Sequence, residues 1–371
     1  MLKRLYIDNV RCFSNFEMTP SPIAVLVGAN GTGKSTLGDV LSSLLSLLQP
    51  EAPSVQHLFP PHSCTRWDTR NVQRIELRVE AEQEQFDYSL EIEHDADRRT
   101  SVIRSERLLG SGQLLYSVAD GEVQLFGDNA AAHPRVTFPV DPRRSFLPIL
   151  EPRQDNRRIT AFKRWLAGCW RLKLRPEQMD PFSKEEAATV SPDGHNFPSW
   201  YRTLQQEAPD VTERVRGDLT QVIPGLKRIR LVAAGDSKLL MLDFLQDGQE
   251  FSLHLGELSD GQRALLVLYT ILHAAADRTC LLVIDEPDNF VADREIQPWL
   301  SSLRERVADA AKGTLLVMSH HPEVVDYLAA DQVLRLSREG GPTRIESLEG
   351  SLDRKDGLKA SEWLRLDEAD G

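Results

Sequence analysis

Residues Gly28 to Ser35 combine glycines with a lysine and a serine in a pattern that suits phosphate binding. The segment follows an apolar run at 23–27, and glycines let a backbone wrap closely round an anion. Lys34 is placed to reach the β- and γ-phosphates of a nucleotide, and the Ser35 hydroxyl to bind Mg²⁺. The alternative is a glycine-rich turn without a ligand. The predicted nucleotide-binding residues are Asn30, Gly31, Thr32, Gly33, Lys34, Ser35 and Thr36.

An acid pair follows a second apolar run. Residues 281–284 lead directly into Asp285 and Glu286. Ligands of parallel sheets bind at the carboxyl ends of strands, so both side chains are expected to face a site. Asp285 suits Mg²⁺ binding, and Glu286 suits polarising the water that attacks a γ-phosphate in line. The alternative is a pair of acids that only caps a helix.

Two further segments carry groups that suit a γ-phosphate. Ser259 and Gln262 flank the start of an apolar helix and predict a capping box, which is their local interpretation. In the functional interpretation, the capped helix end aims its free amides at a phosphate. His320 follows the apolar run 314–318; a surface histidine before a helix is its local interpretation, and the resemblance described next implies a hydrogen bond to the γ-phosphate.

In this order, these segments resemble the motifs of ABC-type ATPases of the SMC/RecF-like branch. Residues 258–262 are similar to the LSGGQ signature, and 319–323 are similar to the switch-histidine motif written T-H-S-P-E. The resemblance implies ATP and Mg²⁺ as cofactors and ATP hydrolysis, with Glu286 and His320 as catalytic residues. It also implies a homodimer in which the signature contacts ATP held by the other copy, through Ser259, Gly261 and Gln262.

The weaker parts of the resemblance concern three other segments. Residues 7–13 resemble the N-F-R/K-x-F opening of the branch, which places Arg11 near the nucleotide; an ordinary surface arginine is nearly as good an interpretation. The family's Q-loop glutamine, a metal ligand, is assigned to Gln154 over Gln56 and Gln73. Residues 288–293 depart from the family's D-loop pattern, so the resemblance does not extend to signalling between the two copies through this segment.

The elements that must position these residues alternate between strand and helix, particularly after residue 260. The predicted strands are 2–8, 23–27, 73–79, 85–93, 239–246, 251–255, 280–284, 314–318 and 332–336, with a meander continuing through 100–127. One predicted helix begins after Ser35 and continues to Leu48, and others cover 260–275, 294–311 and 322–329. The region 156–225 is predicted to be helical except for a loop at 190–198.

This pattern predicts an α/β fold. The resemblance makes it an ABC-type P-loop ATPase head with a mixed central sheet, an antiparallel β meander and a helical insertion. The predicted domains are a first lobe at 1–150, the helical insertion at 151–235, the signature and acid-pair part at 236–350, and a tail at 351–371. The sequence lacks heptads for a coiled coil, which is similar to stand-alone AAA/OLD-like members of the branch.

The composition of the chain indicates its cellular compartment and the partners that its charge favours. The apolar runs are too short for a membrane span, and charges interrupt the N-terminal residues where a signal peptide needs an apolar core. The four cysteines lack CxxC spacing, which favours the reducing cytoplasm. The net charge of −12 argues against a general nucleic-acid coat. The segment 135–175 nevertheless holds eleven Lys/Arg against three acids, and is either a solvated face or a DNA surface.

Two roles remain open at this point. In the first, the chain is a sensor or regulatory ATPase whose separate effector is a nuclease or toxin, as in bacterial phage defence. In the second, it is a RecF-like DNA-binding clamp in repair or chromosome maintenance, which the basic segment 135–175 favours. The sequence shows no second catalytic motif, which favours the first role.

Overall fold

The computed structural model of the chain describes residues 1–128, 133–274, 280–310, 313–328 and 332–348. The predicted tail at 351–371 lies outside the described residues. Numbered in chain order, the strands are β1 (Leu2–Asp8), β2 (Phe16–Met18), β3 (Ile23–Val27), β4 (Val72–Ala81), β5 (Glu84–Asp95), β6 (Thr100–Gly110), β7 (Gln113–Ala119), β8 (Glu122–Leu125), β9 (Val136–Pro139), β10 (Cys169–Leu172), β11 (Phe182–Ser183), β12 (Leu226–Ala234), β13 (Ser237–Gln246), β14 (Gln249–His254), β15 (Leu281–Asp285), β16 (Thr314–Met318), β17 (Val333–Ser337) and β18 (Arg344–Ser347).

The helices are α1 (Lys34–Leu47), α2 (Val55–Leu58), α3 (Arg157–Ala167), α4 (Phe197–Glu207), α5 (Pro209–Val222), α6 (Asp260–Ala274), α7 (Asp293–Ala310) and α8 (Pro322–Leu328). α1, α6, α7 and α8 lie at their predicted positions, whereas α2 was not predicted, because four residues are too few to show a helical period. No helix within the described residues has both the length and the apolar character that a bilayer crossing requires.

The described residues form two compact units. Unit 1 contains residues 1–169 and the described parts of 312–314 and 332–350. Unit 2 contains the described parts of 170–311 and 315–331. The domain boundaries predicted at residues 150, 235 and 350 stay predictions.

Unit 1 contains the antiparallel meander that the alternating pattern predicts. Its sheet has the order β2-β1-β4-β5-β6-β7-β8-β9. The apolar side chains of β4 are buried, including Ile75, Leu77 and Val79, and α3 packs its Phe162 ring 5.8 Å from Phe86. Burial of one face in this way removes apolar area from water, which is the main stabilising contribution.

Unit 1 also contains β3, the strand that leads to the phosphate loop. All five residues of β3 are buried. β17 runs parallel to β3, and β18 runs antiparallel to β17, so parallel and antiparallel pairs occur side by side. The predicted mixed sheet is confirmed here.

Unit 2 surrounds the acid pair with apolar elements. β15 lies between β10 and β16, and all residues of β15 and β16 are buried. α6 is buried continuously from Ala264 to His273, and the Trp299 indole of α7 donates to the Leu268 carbonyl at 2.9 Å. A second, antiparallel sheet is formed by β11, β13 and β12, with β14 paired to β13.

Two details differ from the prediction. The region 156–225 contains α3, α4 and α5, but also the short strands β10 and β11, which hold too few residues to show a period. β12 was not predicted because its buried positions, Leu226 and Ile229, are three residues apart and do not alternate.

Candidate functional site

The phosphate loop joins β3 to α1, as the sequence predicts. Gly28, Gly31 and Gly33 have φ values of 149°, 84° and 109°. α1 begins at Lys34, so the first-turn amides, which have no partner within the helix, lie beside the loop. Asn30 is exposed, so a ligand can reach the loop from solvent. This backbone suits an anion.

Lys34 is folded back onto its own loop. Its ammonium group donates to the carbonyl of Gly28 and, at 3.2 Å, to the carbonyl of Ala29. The residue is 7% exposed. Charge-assisted bonds to phosphate oxygens are stronger than bonds to neutral carbonyls, so an incoming phosphate can replace both partners.

Residues far along the chain support the loop. A Cβ at Gly28 would lie 2.3 Å from the Leu336 carbonyl oxygen, which leaves no room for any other residue. The Thr343 hydroxyl is buried and donates to the Thr32 carbonyl at 2.7 Å. Leu336 and Thr343 could not be identified from the sequence, because they are separated from the loop by about 300 residues and carry no motif.

The remaining unit 1 candidates lie on or beside α1. Ser35 and Thr36 are half-buried in its first turn. Arg11 has a φ of 51°, and its guanidinium lies 3.0 Å from the Asp39 carboxylate of α1. Arg11 is therefore attached to the helix that begins at the phosphate loop, and its contact with a nucleotide stays a prediction.

The signature segment forms the predicted capping box. The Gln262 amide donates to the Ser259 hydroxyl at 3.3 Å, and the Ser259 amide donates to the Gln262 side-chain oxygen at 3.1 Å. Ser259 is exposed, so the helix end is accessible. The local interpretation is confirmed, while the predicted phosphate contact of this end stays a prediction.

The signature is also packed against the loop that follows the acid pair. A Cβ at Gly261 would lie 2.6 Å from the Phe290 carbonyl oxygen. Arg263 donates to the Pro176 carbonyl at 2.9 Å and to the Gly256 carbonyl at 2.8 Å. The start of α6 is therefore held between two segments of unit 2.

The acid pair lies at the end of β15. The Asp285 side chain is 2% exposed, and its Oδ2 lies 3.0 Å from the Lys173 ammonium. Glu286 has a φ of 52°, a strained conformation for a residue with a side chain, and its amide donates to the Met318 carbonyl at 2.8 Å. The strain turns Glu286 out of the strand direction immediately after the buried aspartate.

The Glu286 carboxylate is hydrogen-bonded by one side chain and approached by a second. The side-chain amide of Asn289 donates to Glu286 Oε2 at 2.6 Å, and the His320 ring lies 3.8 Å from Glu286 Oε1. His320 is 63% exposed, so its ring can still reach a ligand. Asn289 was missed by the sequence analysis because its segment departs from the family pattern.

The residues next to His320 also contact acids of the same loop. The buried Ser319 hydroxyl donates to Asp288 at 2.8 Å and accepts from the His321 amide at 2.9 Å. The His321 ring lies 3.3 Å from Asp293. We call the following group the acid–switch cluster: Asp285, Glu286, Asp288, Asn289, Asp293, Ser319, His320 and His321.

The predicted Q-loop glutamine lies in unit 1. Gln154 is exposed and lines an open groove of about 310 Å³ together with Arg153 and Arg157. Of the two other candidates, Gln56 and Gln73, the latter is buried and its side chain donates to the Ser63 hydroxyl at 3.1 Å. The role of Gln154 as a metal ligand stays a prediction.

The basic segment 135–175 uses several of its charges within the chain. Arg158 donates to Glu84 at 2.7 Å, and Arg164 lies 2.5 Å from Glu82. Lys163 donates to the Pro148 carbonyl at 2.8 Å, and burial lowers the pKa of its ammonium group. The charge imbalance of the segment therefore overstates the charge available to DNA. Exposed arginines without an ion pair to a described residue are Arg144, Arg153, Arg157 and Arg175.

The donor groups fit Mg²⁺. Asp285 offers a buried carboxylate and Ser35 a hydroxyl, and hard oxygen ligands of this kind suit that ion. Among the described residues, no group of three or more His, Cys, Asp or Glu is arranged to hold a metal. Magnesium sites in nucleotide enzymes commonly use one or two carboxylates together with substrate phosphates.

Comparisons with known proteins agree with this geometry. A family model described as an AAA domain matches residues 4–124, which include the phosphate loop. A second, described as an AAA domain, putative AbiEii toxin, Type IV TA system, matches residues 191–326, which include the signature and the acid–switch cluster. An OLD nuclease of Thermus scotoductus is 41% identical over 59 residues. That match spans 14% of this chain and 11% of the nuclease.

Solved structures share the fold across the chain. An SMC head bound to the C-terminal winged-helix domain of ScpA has a TM-score of 0.59 at 13% identity, covering 95% of this chain and 99% of that one. An SMC head with an extended coiled coil, bound to the C-terminal domain of ScpA from Pyrococcus furiosus, has a TM-score of 0.51 at 11% identity, covering 95% and 98%. The α/β head fold is therefore that of the SMC proteins.

Proposed function

We propose, on the premise that the chain belongs to the SMC/RecF-like branch of ABC-type ATPases, that it binds ATP at the phosphate loop and hydrolyses it. The observation that carries this proposal is the loop itself. Three positive-φ glycines and an inward Lys34 surround the space before α1. Lysine is rarely buried unless it is paired, and the carbonyls of Gly28 and Ala29 that hold Lys34 are partners that a phosphate can replace.

Each residue has a distinct role in the proposed reaction. Lys34 exchanges its carbonyl partners for phosphate oxygens, and the first-turn amides of α1 hold the same phosphates. Ser35 and Asp285 would each offer an oxygen ligand to Mg²⁺, which would neutralise phosphate charge when bound. Glu286 accepts the proton of the attacking water, with Asn289 fixing the direction of its carboxylate. His320 donates to the γ-phosphate.

The ATP site is shared between two copies of the chain. This part of the proposal is supported by the exposed capping box of the signature, whose helix end is open to solvent. Helix N-termini bind anions, and the family resemblance pairs this end with ATP held by the partner. Ser259, Gly261 and Gln262 then close on the γ-phosphate.

The chain acts as a sensor or regulatory subunit for a separate effector, such as a nuclease or toxin in phage defence. The match to the family described as a putative AbiEii toxin and the OLD nuclease segment support this role. The runner-up is a RecF-like DNA clamp. The groove that Arg153 and Arg157 line favours it, since both residues are exposed.

Two variants that are each expected to be inactive test the shared site. Lys34→Ala removes the phosphate contact, and Ser259→Arg blocks the helix end, so each homodimer should be inactive. Random mixing makes about half of the dimers heterodimers, in which one site carries both lesions and the other carries neither. ATPase activity should therefore return on mixing, measured as phosphate release.

Two affinity tags establish that heterodimers have formed. Retained ATP binding by Glu286→Gln, together with lost turnover, shows separately that ATP is the ligand and Glu286 the base. If tagged heterodimers stay inactive and retain no trapped nucleotide, the shared site is wrong. If the unmodified protein neither binds nor hydrolyses ATP, the whole proposal is wrong.

A further inference from the structure

Lys173 lies against the buried acid that is assigned to Mg²⁺. Its Nζ is 3.0 Å from Asp285 Oδ2, and the two side chains are 39% and 2% exposed. In the sequence, Lys173 is recognisable only as one charge of the basic segment 135–175. Its charge is directed instead to the acid–switch cluster.

The backbone fixes Lys173 at this position. Lys173 follows β10, the strand next to β15. Its amide donates to the Pro192 carbonyl at 2.7 Å, and the Arg175 amide donates to the Asp193 carbonyl at 2.9 Å. The loop that supplies both carbonyls is itself tied by Asn196, whose side chain accepts from the Ser191 amide at 2.6 Å. The segment is therefore built to present Lys173 to Asp285.

This contact places a monovalent cation at a carboxylate that a divalent cation needs. An ionised carboxylate with so little exposure requires nearby positive charge, which Lys173 supplies. A lysine has a flexible four-carbon stem, and this one is more than a third exposed, so its ammonium group can leave towards water. Asp285 can then exchange one cation for the other.

We propose that Lys173 is a built-in counter-cation that competes with Mg²⁺ for Asp285. It thereby sets the Mg²⁺ concentration at which the protein holds ATP. The inference rests on the proposed ATP site and adds a regulatory residue to it. Lys173 is a positioning residue in this scheme, because it acts through Asp285 rather than on the nucleotide.

The experiment measures ATP binding against Mg²⁺ concentration in the full chain carrying Glu286→Gln, which prevents turnover. In that background, Lys173→Gln should lower the Mg²⁺ concentration for half-maximal ATP binding by about tenfold, the effect of removing a charge-assisted contact. Lys173→Arg keeps the charge and should keep the threshold. Lys173→Met serves as a second neutral variant of similar length, and thermal unfolding checks that each variant is folded.

Arg175→Gln is the matched control. Arg175 lies two residues after Lys173 and is exposed, so this substitution also removes one positive charge. Its Mg²⁺ threshold should not move. An unchanged or higher threshold in both folded neutral variants overturns the inference. So does a loss of ATP affinity at saturating Mg²⁺, which would place Lys173 on the nucleotide. If the Glu286→Gln parent shows no Mg²⁺-dependent ATP binding, the proposed function fails instead.

Discussion

The phosphate loop and the acid–switch cluster hold their polar groups in different ways. In the loop, Lys34 donates to the carbonyls of Gly28 and Ala29, and the Thr32 hydroxyl donates to the Ala29 carbonyl, so these bonds stay within the loop. One bond comes from far along the chain, from the Thr343 hydroxyl to the Thr32 carbonyl. In the cluster, the bonds join two strand ends that are about 31 residues apart in sequence, as between Ser319 and Asp288. Lys173 reaches Asp285 from farther still.

The difference shows where each region can fail. A contiguous loop folds around its own backbone, so a change within it disturbs the geometry directly. A cluster assembled from separate segments depends on every segment, so distant substitutions should be coupled there. The loop should be sensitive to added volume, and the cluster to loss of single hydrogen bonds.

The largest expected effect is that of Gly28→Ala. A Cβ there would lie 2.3 Å from the Leu336 carbonyl oxygen, so the loop must shift. A displacement of about 1 Å can cost about 100-fold, and we expect a loss of ATP affinity of that order. Gly112→Ala is the matched control, because Gly112 has a φ of 79° and open space around it. It should lose only about 1 kcal/mol of stability. Titration calorimetry measures the ATP affinity of both variants. Near-normal affinity in Gly28→Ala would contradict the steric argument.

The second largest effect is expected for substitutions in the acid–switch cluster, where the contributions of Ser319 and Asp288 to stability should be coupled. Ser319→Ala leaves the Asp288 carboxylate and the His321 amide without this hydroxyl, at a cost of about 1–3 kcal/mol. A double-mutant cycle of Ser319→Ala with Asp288→Ala should be non-additive in denaturant unfolding. The control cycle pairs Ser319→Ala with Glu305→Ala, an exposed change on α7. Additive free energies in both cycles would show that the cluster is not one unit.

A smaller effect is expected from Asn289→Ala. Its bond to Glu286 is charge-assisted and short, at 2.6 Å, so its loss should lower kcat by about tenfold. ATP affinity should stay unchanged, because Asn289 directs the carboxylate without touching the phosphate loop's own bonds. Asn289→Asp places two acids together and should lower kcat further. Equal changes in kcat and in ATP affinity would remove the positioning role.

The smallest effect on stability is expected in the basic segment 135–175, where some arginines form ion pairs within the chain and others are exposed. Arg158 is bonded to Glu84, so substituting it would confound DNA binding with stability. Reversing only the exposed Arg153 and Arg157 should leave the free energy of unfolding within about 0.5 kcal/mol. If duplex DNA docks there, its salt slope should fall by about one for each lost phosphate contact. An unchanged slope places any DNA surface elsewhere.

The sequence alone predicted most of the elements and the contiguous motifs. β3 and β15 lie within one residue of their predicted ranges, because a short continuous apolar run is typical of a buried strand. α1 was predicted from apolar residues that recur at helical spacing. The capping box of Ser259 and Gln262 was also readable, because both of its hydrogen bonds span three residues.

Tertiary structure decided the partners of the charged groups. Charge along a sequence does not state which side chain is buried or what lies opposite it, so Arg157 and Arg158 looked equivalent and Lys173 looked like part of a surface. Only folding places Lys173 beside Asp285, Thr343 beside Thr32 and Asn289 beside Glu286. These contacts depend on the order of strands in a sheet and on the loops at their ends, and neither leaves a periodic signal in the sequence.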